Sequence, residues 1–180
     1  MQLILVAITT KCKQYWVSMT KNKNITTSAP VLKLDKFLPY TVSALSNKLS
    51  RIIGETYKNK FALSITEWRI MAVLGEHPGS SADEVSSRTE TEKSIISRSL
   101  QKLLQRNFVA REVDSNDRRR QNLTLTEIGQ DVYNQIVPDS YEYEERLLKC
   151  FSDQEKATFD SLVERLYKHA IEVEKFQNSR

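Results

Sequence analysis

Residues 89–126, TETEKSIISRSLQKLLQRNFVAREVDSNDRRRQNLTLT, contain a helical period, two alternating segments and a charged loop in succession. The first half repeats every 3.6 residues, and most of its cationic side chains fall opposite an apolar stripe. The stripe consists of Ile96, Leu100, Leu103 and Leu104, and the cations are Lys93, Arg98, Lys102 and Arg106. Asn107 follows the last periodic residue, where a left-handed residue commonly ends a helix. The pattern predicts a helix over residues 93–106.

Two short segments after this helix alternate between apolar and polar side chains, which is typical of half-buried strands. They cover residues 109–113 and 123–126, and the loop between them carries three consecutive arginines at 118–120. These arginines would repel one another without an anionic partner, and phosphate matches a planar, permanently charged fork. A solvated surface hairpin is the alternative for the loop considered alone. With a helix before it, the loop favours a winged helix-turn-helix, whose helix enters a major groove while the hairpin reaches phosphates.

Several motifs resemble those of the MarR family of bacterial transcription regulators. D-x-x-D-x-R at 114–119, followed by L-x-L-T-x-x-G at 123–129, is similar to the wing signature of that family. Residues 94–103 resemble its recognition helix, ITEWRIM at 65–71 its second helix, and YNQIVP at 133–138 its C-terminal arm. The similarity extends over about residues 34–175, although Asn107-Phe108 replaces the usual Gly and aliphatic residue.

The resemblance implies a mainly α fold with a small β wing and a helical dimerisation layer. The expected domains are an N-terminal dimerisation helix at 31–62, a winged helix-turn-helix DNA-binding domain at 63–126 and C-terminal dimerisation helices at 127–180. An intramolecular core helix is the alternative for residues 31–62. Residues 1–30 are expected to be a flexible, basic N-terminal arm. The alternative, equally open, is that translation starts at Met19, in which case residues 1–18 would not belong to the native protein.

Helix starts are marked by repeated capping boxes. Ser64, Ser81 and Ser152 each stand three positions before a Glu, so that each Ser and Glu can satisfy one another's neighbouring backbone N–H groups. Each box lies where the helical period restarts, and Thr126 is expected to cap the helix after the second strand. The boxes therefore predict helices that begin near residues 65, 82, 127 and 153.

The resemblance also implies a sequence-specific, double-stranded-DNA-binding transcription repressor. It would act as a homodimer on a pseudo-palindromic operator and would be relieved by a small aromatic or phenolic ligand. The recognition-helix candidates for base edges and adjacent phosphates are Lys93, Ser94, Ser97, Arg98, Gln101 and Lys102. The wing candidates are Arg118, Arg119 and Arg120, which would hold the DNA backbone, and Asp117, which would orient them. Trp68 is a candidate wall of the ligand pocket, and a core position is its alternative.

Two other functions with the same fold stay open. A thiol-based redox sensor would use Cys12 or Cys150, but Cys12 lies before the first long helix and Cys150 is expected in an apolar setting near a helix end. An inert, packed cysteine is the alternative. A winged-helix protein-interaction adaptor would not read DNA, and the basic wing next to a polar helix face argues against it.

Composition and charge limit the remaining classes. The chain is 39% hydrophobic and 28% charged, which suits a globular protein with a core. Residues 1–60 carry ten Lys and Arg against two Asp and Glu, and residues 88–120 carry nine against five. Such segregation is expected where particular faces meet a polyanion. The apolar run at 2–8 is too short to span a membrane, so a cytoplasmic protein without a membrane partner is expected.

Catalytic and metal-binding patterns are not apparent in the sequence. Four glycines leave little room for a phosphate-cradling loop. His77 and His169 are far apart, with no Cys or paired carboxylate at ligand spacing. We therefore expect no enzymatic activity, no metal site and no cofactor.

Arg119→Ala tests the predicted wing. Loss of a phosphate contact should weaken binding to every duplex and flatten the plot of log affinity against log salt concentration by about one unit. Fluorescence anisotropy with operator and random duplexes over a salt series measures both quantities. An unchanged slope would exclude Arg119 from the interface.

Overall fold

The computed structural model describes residues 30–113 and 121–179. The chain divides into two compact units, residues 1–44 and residues 45–180. In the first unit, a short 3-10 helix spans Leu34–Lys36 before the first long helix begins at Leu38. The regular helix thus starts next to Pro39, which is tolerated there because the first-turn N–H groups have no intrahelical partner.

Within the described residues, the fold is mainly helical with a small antiparallel sheet, as the sequence predicted. The helices are α1 (Leu38–Phe61), α2 (Ile65–Glu76), α3 (Ala82–Arg88), α4 (Lys93–Gln105), α5 (Glu127–Leu148) and α6 (Asp153–Asn178). Strands β1 (Val109–Val113) and β2 (Gln121–Leu125) pair antiparallel, with Val109 opposite Leu125. No described helix combines the length and apolar character needed to cross a lipid bilayer.

The predicted capping boxes are confirmed at all three positions. Ser64, Ser81 and Ser152 each accept a hydrogen bond from the backbone N–H three residues on, and the Glu at that position accepts one from the Ser N–H. Hydrogen bonding from Ser152 lowers the pKa of the Glu155 carboxyl, because it favours the charged form. Thr126 caps α5 through Gly129 N–H, so the second strand ends at Leu125 rather than at Thr126 as predicted.

The core of the second unit is built around the apolar stripe of α4. Ile96, Leu100 and Leu103 are at most 1% exposed, whereas Leu104 is only partly buried. They belong to one cluster with side chains from α1, α2, α3, both strands and α5. The other members are Tyr57, Leu63, Ile70, Met71, Leu74, Val85, Phe108, Val109, Leu123 and Ile136. Burial of this stripe leaves the opposite face of α4 in solvent.

The loop between α2 and α3 forms a one-residue antiparallel bridge with β2, which the sequence did not predict. Gly79 N–H donates to Leu123 O at 2.9 Å, and Leu123 N–H donates to Ser80 O at 3.0 Å. Gly79 has a φ of +84°, a conformation that favours glycine. Leu123 itself is 1% exposed. The wing is therefore tied to the helix-turn-helix through backbone pairing as well as through its side chains.

The turn after α4 and the start of α5 touch through their backbones. Asn107 has the predicted left-handed conformation, with a φ of +55°. Thr126 Oγ1 donates to Asn107 O at 2.6 Å, and Thr126 N–H donates to Phe108 O at 3.1 Å. A Cβ atom on Gly129 would lie 1.9 Å from Phe108 O. Only glycine therefore allows α5 to begin where it does.

Gly129→Ala should lower the free energy of unfolding by about 1–3 kcal/mol or more, since the clash is with backbone that cannot rotate away. Gly54→Ala is the matched control within a helix, because its Cβ would meet Ile65 Cβ at an ordinary 3.8 Å. That change should be neutral or stabilise by about 0.4–1 kcal/mol. Urea unfolding at one fixed protein concentration compares the two. Equal stabilities would show that the Phe108–Gly129 approach is not a constraint.

Candidate nucleic-acid interface

The turn between α3 and α4 is fixed by its own hydrogen bonds. Ser86 Oγ donates to Thr91 O at 2.6 Å, and Thr91 N–H donates to Ser86 O at 3.1 Å. Glu90 adopts a left-handed φ of +48° between them. Thr89 Oγ1 donates to Val85 O at 2.8 Å. The direction in which α4 leaves α3 is thus set by backbone and short polar side chains.

The solvent-facing side of α4 carries five of the six predicted recognition-helix residues, and we call it the reading face. They are Ser94, Ser97, Arg98, Gln101 and Lys102, and all are exposed. Arg98 Nε donates to Ser94 O at 3.3 Å, one turn earlier in the same helix. Among the described residues, the Nη1 and Nη2 groups of Arg98 have no hydrogen bond. A guanidinium can pair with guanine through two hydrogen bonds.

Lys93, the sixth predicted residue, lies in the first turn of α4 and pairs with α3. Its Nζ is 2.9 Å from Asp83 Oδ1, and both side chains are 72% exposed. An ion pair this exposed contributes little free energy in water. The pair can therefore open at small cost, which leaves Lys93 available for phosphate.

Lys102 faces a buried carboxylate on α2. Its Nζ is 3.7 Å from Glu67 Oε1, and the Glu67 side chain is only 6% exposed. The other oxygen, Glu67 Oε2, accepts from Ser64 N–H at 2.8 Å as part of the capping box. Glu67 thus holds Lys102 near the C-terminal end of α4. The sequence did not predict this contact, because the capping box with Ser64 already accounted for Glu67.

Arg106 is not part of the cationic face, contrary to the grouping made from the sequence. Its Nη1 and Nη2 donate to Ala62 O at 2.8 Å and to Phe61 O at 2.7 Å. The guanidinium carbon also lies 4.3 Å from the centre of the Phe108 ring. Arg106 therefore satisfies carbonyls at the end of α1 and joins that helix to α4.

The wing residues Asp117, Arg118, Arg119 and Arg120 lie outside the described residues. The strands that carry this loop are described, and they are paired as far as Val113 and Gln121. Sequence reasoning also missed Gln105, which is exposed one turn after Gln101. Continuing the helical period by one more turn would have found it.

Trp68 packs inside an aromatic cluster. Its ring centre lies 5.2 Å from that of Tyr57 and 5.7 Å from that of Tyr133. The Tyr57 hydroxyl is hydrogen-bonded to Ser140 Oγ at 2.8 Å, and burial raises the pKa of Tyr57. Trp68 is partly buried against the core, as expected for a packing residue. Its role in a ligand pocket stays a prediction.

Cys150 is exposed, with Sγ 3.5 Å from Leu147 O, so the expected apolar setting was wrong. The residue lies in the short connection between α5 and α6. Cys12 lies outside the described residues.

Comparison with known proteins finds similarity to one family of regulators. A family model described as MarR family matches residues 63–120. The transcriptional regulator PecS of Dickeya dadantii is 28% identical over 134 residues, which is 73% of this chain and 80% of PecS. A MarR/EmrR family regulator from Acinetobacter sp. ADP1 is 28% identical with a TM-score of 0.73, covering 78% of this chain and 99% of that one.

PcaV of Streptomyces coelicolor, solved in complex with its natural ligand, shows the same fold. Its TM-score is 0.67 at 20% identity, with 79% of this chain and 99% of PcaV covered. The family match covers α2, α3, α4 and β1, and ends at residue 120, before β2. The chain is similar to MarR-family winged-helix transcriptional regulators, in sequence over residues 63–120 and in fold over most of its length.

Proposed function

We propose that this regulator is a sequence-specific repressor that binds double-stranded DNA as a homodimer. The observation that carries the proposal is the division of α4 into a fully buried stripe and an exposed reading face. A helix of 13 residues is about 20 Å long, and a major groove about 12 Å wide admits one. Every polar side chain of the reading face is then available to base edges or phosphates.

Each residue of the reading face has a distinct task. Arg98 and Gln101 read sequence, because Arg pairs with guanine and Gln with adenine through two bonds each. Ser94 and Ser97 contact base edges or phosphates beside them. Lys93 and Lys102 neutralise phosphates. In the wing, Arg118, Arg119 and Arg120 hold the backbone or a narrow minor groove, and Asp117 orients them.

A second copy of the chain is the partner that fits the apolar surface of α6. This helix has no buried residue, and Phe159, Leu162, Val163, Leu166, Val173 and Phe176 are all more than 40% exposed. Apolar area of this extent on one helix indicates an interface rather than free surface. A two-fold pair presents its two α4 helices to successive major grooves, with half-sites about 10 bp or roughly 34–36 Å apart.

A small aromatic or phenolic ligand relieves the repression. PcaV, which shares the fold, was solved with its natural ligand, and this supports an effector for the present chain. The aromatic cluster of Tyr57, Trp68 and Tyr133 joins α1, α2 and α5, so a ring inserted beside Trp68 would separate helices that flank the winged domain. Such a ligand would change the spacing of the two α4 helices.

Arg98→Ala tests sequence readout. It should relax base preference at one position per half-site by about 1–3 kcal/mol, while the other positions keep theirs. Selection from a random duplex library, followed by anisotropy on single-base operator variants, measures the preference. Arg146→Ala, which removes an exposed arginine from α5, is the charge-matched control. Uniform weakening would assign Arg98 to phosphate, and a wild type that selects no sequence would contradict the proposed function.

Leu166→Glu should convert the dimer to a monomer, because a carboxylate would be buried without a partner at the α6 interface. Analytical ultracentrifugation gives the mass, and anisotropy should show weaker operator binding by the monomer. Gln154→Glu adds the same charge in the first turn of α6 and should leave the dimer intact. A dimeric Leu166→Glu protein would exclude this face of α6 from the interface.

A further inference from the structure

A basic cleft lies where α1 ends, α2 begins and α4 ends. It encloses about 510 Å³ and is open to solvent. The residues that matter here are Lys58 from α1, Glu67 from α2, and Lys102, Gln105 and Arg106 at the end of α4 and just after it. No task in the proposed function falls to Lys58.

Three of the four charges in this cleft already have partners within the protein. Arg106 donates to the Phe61 and Ala62 carbonyls at 2.7 and 2.8 Å. Glu67 accepts from Ser64 N–H at 2.8 Å and faces Lys102 Nζ at 3.7 Å. Its carboxylate is nearly buried, so it offsets part of the positive charge without occupying the mouth of the cleft. The cleft keeps a net positive charge.

Among the described residues, no carboxylate pairs with Lys58, whereas Lys102 in the same cleft faces Glu67. Lys58 is exposed in the last turn of α1, and no ion pair joins it to any residue within 30–113 or 121–179. Two positions later, Lys60 on the same helix is paired with Asp139 at 2.6 Å. An unpaired lysine beside a second cation is repelled unless an anion lies between them.

The cleft continues the reading face past the end of α4. Lys102 and Gln105 line the cleft and are exposed. Arg98 and Gln101 lie one turn before them on the same helix. Phosphates border both sides of a major groove, so a duplex seated on α4 places one strand beside the C-terminal end of that helix.

We propose that Lys58, together with Lys102, forms a phosphate-binding site for the DNA backbone at this cleft. The inference rests on the proposed function and extends the interface from α4 and the wing to the end of α1. Glu67 is a positioning residue in this site, because it holds Lys102 at the edge of the cleft. A backbone contact here carries no sequence information and fixes the register of α4 in its groove.

Lys58→Gln tests the site in the full chain. Each phosphate contact contributes about 0.9 to the slope of log affinity against log salt concentration. The variant should therefore lower the slope by about 0.9 per subunit and weaken binding several-fold, equally for operator and random duplexes. Lys58→Arg should restore both quantities, because the contact depends on charge.

Lys60→Gln is the matched control, since it removes the same charge from the same helix where the lysine is already paired. It should leave the slope unchanged. A wild type that binds duplex while Lys58→Gln keeps the wild-type slope would overturn this site and leave the proposed function standing. A wild type that binds no duplex would overturn both. Competition by inorganic phosphate that Lys58→Gln abolishes, with the DNA slope unchanged, would assign the cleft to a free anion and also overturn the site.

Discussion

The contact between the Phe108 carbonyl and the backbone at Gly129 is the constraint on which the rest of the second unit depends. It brings the first turn of α5 against the turn that ends α4, at a distance that excludes any Cβ on Gly129. Thr126 reinforces it by bonding to Asn107 and Phe108 from the same place in the chain. Strand β1 begins just after Phe108 and β2 ends just before Thr126, so this contact fixes where β1 starts and where β2 ends. This one close contact between backbone segments therefore positions α4, the two strands and the start of α5 relative to one another.

Local signals in the sequence predicted most of the elements. Capping boxes and a left-handed Asn act within a few residues, so Ser64, Ser81, Ser152 and Asn107 marked their boundaries correctly. The burial of the α4 stripe followed from its period. What local patterns could not show is where the chain meets itself at long range. The pairing of the Gly79–Ser80 backbone with Leu123 depends on residues more than forty positions apart, and no periodicity records it.

The cations illustrate the same limit at the site. Spacing groups four of them on α4, yet the structure gives them different partners. Arg106 bonds to carbonyls 44 and 45 positions earlier in the chain, and Lys102 faces a carboxylate that a capping box had already explained. Among the described residues, the hydrogen bond found for the Arg98 side chain is to Ser94 O in its own helix. It follows that cations grouped by helical spacing can differ in what they contact within the folded protein.

The C-terminal helix α6 is joined by a hydrogen bond to the turn between α3 and α4. The Tyr167 hydroxyl on α6 donates to Glu90 Oε1 at 3.0 Å, and Glu90 is the left-handed residue of the turn between α3 and α4. This hydrogen bond, and the charge of the Glu90 carboxylate, raise the pKa of Tyr167, since both favour the neutral phenol. Both side chains are exposed, so the bond adds little to stability. Its consequence is geometric. Tyr167 lies one position after Leu166, so this hydrogen bond joins α6 directly to the turn between α3 and α4. In the proposed dimer, a change in how two α6 helices pack would therefore reach this turn through Tyr167 without any contact to the reading face.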